Sequence, residues 1–344
     1  MNTHSPLKKK PAYHISKELY SYLNETGRTQ DISIQYEDLL RFTNSITLYD
    51  KYKKDSLWLT VSYPPNEMYE LNKELTGIYA ALKTNGDIKV MEHLHVDRID
   101  FCTFGNSKPF RIKIVNNYND NHDYYYIKRA DSSRIYGLEW EHILSPNRIN
   151  YFVCKQTLIE EHIVGIPGDQ FIEYNINDPD LNQIRLAKEF VKFNERCFTR
   201  LLGDMRSYNF VIDVTPDFED TQYRIRAIDF DQQCYEGHKS IYMPQYFKEN
   251  FPFVQLCINH LNESTVKQYQ SEERSLISRR IKTSTYRVNQ LLEVMLKEDL
   301  STPEKVETLR TELANHYRNN DFMSCESMGE LMKLSLNLLV DKLN

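Results

Sequence analysis

Asp204 and Asn209 stand five residues apart in "LLGDMRSYNFVID" (201–213), directly before a strand-like apolar run. A second acidic pair, Asp229 and Asp231, closes the next such run in "IRAIDFDQQ" (225–233). If the two runs pair as a hairpin, Asn209 near the start of one and Asp229 near the end of the other become neighbours. A carboxamide oxygen beside carboxylates is a hard, all-oxygen environment that suits Mg²⁺ better than zinc. Mg²⁺ is commonly held by one or two such groups, with water and substrate phosphates completing its shell. The residues alone therefore point to metal–phosphate chemistry. The competing reading is structural: Asp204 and Asn209 cap turns, and Asp229 and Asp231 end a strand on its solvent side.

The elements that must position these residues follow from hydrophobic periodicity. Residues 1–12 are expected to form a disordered leader. Helices are expected over 14–27 and 35–46, a strand over 55–63, and a helix over 66–86 stopped by Asn85-Gly86. From 88 to 163 strands dominate: 89–104, 110–115, 124–130, 148–153 and 157–164, with one helix over 132–144 between the third and fourth. A long helix over 180–203 ends at Gly203 and delivers the chain to Asp204. Two strands, 209–214 and 223–230, carry Asn209 and Asp229. Four helices are expected after them, over 244–262, 266–298, 302–318 and 326–343.

In that order, "GDMRSYNFVI…AIDFD" resembles the catalytic core of the protein-kinase-like superfamily. Gly203-Asp204 without a preceding His-Arg is most similar to the phosphoinositide 3-/4-kinase type or the aminoglycoside/choline kinase type. The resemblance implies a bilobed α+β kinase-like fold, with a mostly antiparallel sheet in the N-lobe and a helical C-lobe. It divides the chain into a mostly helical extension with one strand (1–95), an N-lobe (96–164) and a C-lobe (165–344). It implies roles as well. Asp204 resembles the base that orients or deprotonates the acceptor hydroxyl, and Asn209 and Asp229 resemble the Mg²⁺ ligands. Lys128, in "YYYIKRA", resembles the strand lysine that meets the α- and β-phosphates of ATP. A helix acid then holds that lysine: Glu139, with Glu141 as the alternative. "FGNSKPF" stands where a phosphate-covering turn belongs. It has only Gly105, but Ser107 and Lys108 fit the serine/lysine loop of phosphoinositide 3-kinases. "IEEHIVGIPG" stands at the adenine hinge. Asp231 replaces the glycine of the Asp-Phe-Gly motif and supplies a further carboxylate to the metal.

The implied activity is an ATP- and Mg²⁺-dependent phosphoryl transfer to a hydroxyl of a small molecule or a protein. Two alternatives stay open, a nucleotide-binding scaffold without turnover and an AMP transferase on the same fold. The bulk properties fit a soluble globular protein and exclude other classes. The 344 residues are 40% hydrophobic and 27% charged, enough for a sizeable core. A net charge of -6 gives no basic field for nucleic acid, so no nucleic-acid partner is expected. The six cysteines form no C-x-x-C pair, and no run approaches a membrane span. These features, with no apolar leader at the start, lead to the expectation of a reduced, cytoplasmic protein.

Overall fold

A computed structural model describes residues 10–50, 53–84, 93–104, 107–217 and 221–341. The protein is α+β: an antiparallel sheet dominates its first part and helices its C-terminal part. Two compact units are present. One joins the described residues up to Asp131 with Ile149–His162; the other joins Ser132–Arg148 with the residues from Ile163 onward.

The first unit holds helices α1 (Lys17–Glu25), α2 (Tyr36–Leu39) and α3 (Pro65–Thr84). Its strands are β1 (Asn44–Tyr49), β2 (Asp55–Ser62), β3 (Leu94–Cys102), β4 (Phe110–Asn116), β5 (His122–Arg129), β6 (Tyr151–Cys154) and β7 (Thr157–Glu161). They form one sheet in the order β1-β2-β3-β4-β5-β7-β6 with antiparallel neighbours. The two-residue period of a strand separates its faces. Ile99, Phe110, Ile112, Tyr125, Ile127 and Ile159 share an apolar core with Leu71, Leu75 and Ile78 of α3. The Tyr125 hydroxyl inside that core donates to the Leu75 carbonyl at 2.8 Å, satisfying its one polar atom.

The opposite face is polar. One cross-strand row runs Thr60, Asp100, Arg111, Tyr126, Glu160. Asp100 is fully buried there and accepts from Thr60 Oγ1 at 2.9 Å and from Arg111 Nη2 at 2.8 Å. Arg111 also lies over the Trp58 ring, 4.4 Å from its centroid. Lys128 emerges on this face.

The second unit contains α4 (Ser132–Leu144), a three-stranded sheet of β8 (Ile166–Pro167), β9 (Phe210–Pro216) and β10 (Thr221–Ala227), and seven further helices among the described residues. These are α5 (Gly168–Tyr174), α6 (Gln183–Thr199), α7 (Phe251–His260), α8 (Glu263–Thr283), α9 (Thr285–Met295), α10 (Pro303–Tyr317) and α11 (Met328–Asp341). No described helix is long and apolar enough to cross a membrane.

Four expectations are corrected. The helix expected over 35–46 stops at Leu39, and β1 follows, because Thr43, Ile46 and Thr47 are β-branched and suit a pleated surface. Residues 1–95 are not a separate extension with one strand. They contribute two strands, part of β3 and the covering helix α3 to the same sheet and core. The division at 164 also shifts, because α4 belongs to the second unit although it lies between β5 and β7 in sequence. The single helix expected over 266–298 breaks at Ser284. There Thr283 Oγ1 donates to the Arg280 carbonyl at 3.0 Å and Thr285 Oγ1 to the Ile281 carbonyl at 3.2 Å. Such local side-chain bonds compete with helix continuation.

Candidate active site

α6 is amphipathic and buries Leu186, Phe190, Phe193 and Cys197. The chain leaves it through Leu201 and Asp204, both in the left-handed region at φ 53° and 59°. Asp tolerates that conformation better than most residues, because its short polar side chain bonds locally. A second loop, 228–234, runs alongside. The Gly203 amide donates to the Gln232 carbonyl at 3.2 Å and the Cys234 amide to the Leu201 carbonyl at 2.9 Å. A Cβ on Gly203 would stand 3.1 Å from the Gln232 oxygen, so the close approach of the two loops favours glycine.

The five-residue spacing of Asp204 and Asn209 is used in full. Asn209 Nδ2 donates to the Asp204 carbonyl at 2.7 Å and closes the loop on itself. The Asn209 carbonyl accepts from the Ile228 amide at 3.0 Å, and Phe210 pairs with Ala227 in the β9–β10 ladder. The carboxamide is therefore one backbone hydrogen bond from the segment that carries Asp229. The Asp204 carboxylate accepts from Arg206 Nε at 2.8 Å, and Arg206 Nη1 reaches Glu249 at 2.6 Å. Burial pushes the Asp204 carboxyl up to about 6 against the pull of Arg206, and the negative charges of Asp229 and Glu236 add to the rise. A carboxyl poised there suits proton transfer near neutral pH.

Arg134 of α4 occupies the acid pair. Its Nη1 donates to Asp229 Oδ1 and to Asp231 Oδ1, each at 2.8 Å, and its Nη2 to the Ile228 carbonyl at 3.3 Å. The Arg134 side chain is 2% exposed, whereas Asp229 is 35% exposed. Asp229 Oδ1 also accepts from the Asp231 amide at 3.1 Å. The contact depends on how closely α4 approaches. A Cβ on Gly137, one turn beyond Arg134, would lie 2.8 Å from Phe230 Cβ. Gly137→Ala is expected to cost about 1–3 kcal/mol, the usual price of overpacking, and to disturb the guanidinium's seat on Asp229. Equilibrium denaturation checks this, and an unchanged midpoint would contradict the contact.

The helix acids have partners within their own unit. Glu139 is fully buried and grips Arg287 through both carboxylate oxygens, at 2.8 and 3.1 Å, and Glu141 forms an ion pair with Arg200. Within its own unit Lys128 meets a carboxylate of a neighbouring strand. Glu160 of β7 accepts from Lys128 Nζ at 2.7 Å, and both side chains are under a tenth exposed. The Lys128 ammonium also lies 5.3 Å from the Tyr126 ring centroid. In the loop between β3 and β4, Ser107 is half-buried and Lys108 is exposed with φ 39°. The Tyr36 hydroxyl pins that loop by donating to the Lys108 carbonyl at 2.9 Å. Gly105 lies outside the described residues.

Sequence reasoning missed Arg134, Glu160 and Arg206. For the first, the signal lies in packing and not in the sequence. α4 has Arg134, Glu139 and Glu141 among twelve buried residues of thirteen, and buried charges demand partners.

The donors fit Mg²⁺ in kind: a carboxamide and a carboxylate on adjoining backbone, with Asp231 two residues on. Among the described residues no group of three or more His, Cys, Asp or Glu is placed to hold a metal ion. Mg²⁺ does not need one, since phosphates and water complete its shell. Arg134 is the competing cation.

No family model and no curated protein matches this chain. Among solved structures, it is similar to the autoinhibited serine kinase domain of the giant muscle protein titin. The two are 13% identical at a TM-score of 0.28, over 63% of this chain and 88% of that one.

Proposed function

We propose that this protein is a kinase-like phosphotransferase that uses ATP with Mg²⁺ and delivers the phosphoryl group to a hydroxyl of a small molecule or a protein. The observation that carries the reading is the hydrogen-bonded junction of the 203–209 and 228–231 loops. It brings Asp204, Asn209, Asp229 and Asp231 together on adjacent backbone. The succession of the lysine strand β5, α4, the β6–β7 hairpin, and then the helix α6 leading into Asp204 agrees with it. In this reading Asp204 orients the acceptor hydroxyl and takes its proton. Asn209 and Asp229 would hold Mg²⁺, with Asp231 as a further carboxylate, and the ion would neutralise charge on the phosphates. Lys128 binds phosphate, sharing its ammonium with Glu160, and Ser107 and Lys108 cover the phosphates.

Thermal unfolding with ATP or ADP, with and without Mg²⁺, tests this. A nucleotide at about 100 times its dissociation constant adds about 2.7 kcal/mol of stability. We expect a Mg²⁺-dependent rise in the wild type and a much smaller one in Asp229→Asn. No shift with any nucleotide would sink the reading. A second reading, a scaffold that binds nucleotide without turnover, is favoured by the Arg134 guanidinium lying on both acids. Nucleotide binding without Mg²⁺-dependent ATP consumption would select it.

A further inference from the structure

We propose that Arg134 is the resident counter-cation of the Asp229–Asp231 pair, and that a divalent ion gains these carboxylates by displacing it. Arg134 thereby sets the metal affinity of the site. This rests on the reading that Asp229 belongs to a metal–nucleotide site.

One guanidinium nitrogen, Nη1, is shared between the two carboxylates at 2.8 Å each. It lies on the carboxylates that would hold the ion. The side chain is buried, so water does not screen the interaction as it would at the surface. Arginine does not lose its proton in a protein, so this cation cannot yield by deprotonation and has to move. The helix behind it is held in place. Gly137 abuts Phe230, Glu139 grips Arg287 and Glu141 pairs with Arg200. Release is therefore a side-chain movement on a fixed helix. The guanidinium carries a single positive charge. A divalent ion carries twice the charge, and with nucleotide phosphates it brings further ligands. The metal would then bind weakly alone and well with the nucleotide.

The test uses the full chain and Mn²⁺ alone, with free Mn²⁺ followed by electron paramagnetic resonance. Arg134→Gln keeps a hydrogen-bond donor on the carboxylates and removes the charge. Deleting a unit charge a few ångströms from a divalent ion is worth at least about tenfold in affinity even at the dielectric of bulk water. We expect Arg134→Gln to bind Mn²⁺ tighter than the wild type by that factor, and Asp229→Asn in the same background to lose the gain. Equal affinities in wild type and Arg134→Gln would overturn the inference. If Mg·ATP still stabilises the wild type in that case, the proposed function survives. If neither protein binds Mn²⁺ and Mg·ATP gives no shift, both fail. Should Arg134→Gln not fold, the wild type labelled with ¹⁵N in its arginine side chains serves instead. Arg134→Lys, which keeps the charge, identifies the Arg134 signal by its loss. That signal is expected to shift or exchange away at saturating Mg·ATP, and its persistence unchanged would overturn the inference.

Discussion

Asp204→Asn is expected to bind nucleotide as the wild type does and to lose turnover by roughly 10²–10⁴-fold, the usual contribution of a positioned general base. The same variant is expected to gain stability relative to the wild type as pH rises. The Asp204 carboxyl is 19% exposed, and burial raises it from 3.8 to about 6. A group held more tightly protonated in the folded state gives its full stabilisation below its unfolded value. It loses that stabilisation as pH climbs through the folded one. For Asp204 the loss falls between about pH 4 and pH 6 and amounts to about 3 kcal/mol at most. Asparagine does not titrate there. Urea unfolding of both proteins from pH 4 to pH 7 should show a gap that widens in favour of the variant and then levels off. A gap independent of pH would mean that Asp204 is not perturbed. Wild-type turnover should rise with pH to a plateau above about 6, as the carboxylate forms.

Lys128→Met is expected to destabilise the first unit by about 3–5 kcal/mol. It deletes the ammonium while the Glu160 carboxylate stays buried. Lys128→Met with Glu160→Leu should recover most of that loss, since an apolar pair of similar volume often replaces a buried ion pair at little cost. The double variant separates the two roles of Lys128. With most of the stability recovered its response to nucleotide can be read, and under the proposed function it is expected to lose most of the Mg·ATP-dependent thermal shift. A double variant with a wild-type shift would remove Lys128 from the phosphate site and leave it a structural ion pair.

What could be read in advance, and what could not, divides along physical lines. β4, β5 and α4 were legible because each has one strong period and clear stops. Ile112, Ile114, Tyr125 and Ile127 alternate, and α4 spans the expected residues 132–144. The β9–β10 hairpin that sets Asn209 beside Ile228 was legible from strand order. β1 was not, because a short apolar run such as Ile46–Leu48 fits a helix or a strand until its neighbours are known. The partner of Lys128 was not legible either. Glu139, Glu141 and Glu160 all follow it within 32 residues, and only the strand register sets Glu160 beside Tyr126 and one step from Lys128. Arg134 was least visible, since the pairing of Asp229 with a residue 95 positions away is a property of packing.

The placement of α4 bears on how this chain is made and how it can be divided. The polypeptide passes from one unit to the other at Asp131–Ser132, at Arg148–Ile149 and at His162–Ile163. No single cut frees either unit of the other's residues. A protein ended at Asp131 would leave the long edge of β5 open where β7 belongs, an unpaired edge prone to aggregation. On the ribosome, the first unit cannot close its sheet until residue 162 has emerged. By then α4 has already been synthesised and is waiting for Phe230, Arg200 and Arg287. During that interval Arg134, Glu139 and Glu141 are charges on a helix whose burying partners do not yet exist, so α4 is expected to dock late. Limited proteolysis of stalled chains should find the 132–148 segment cleavable until well after residue 230 has been made.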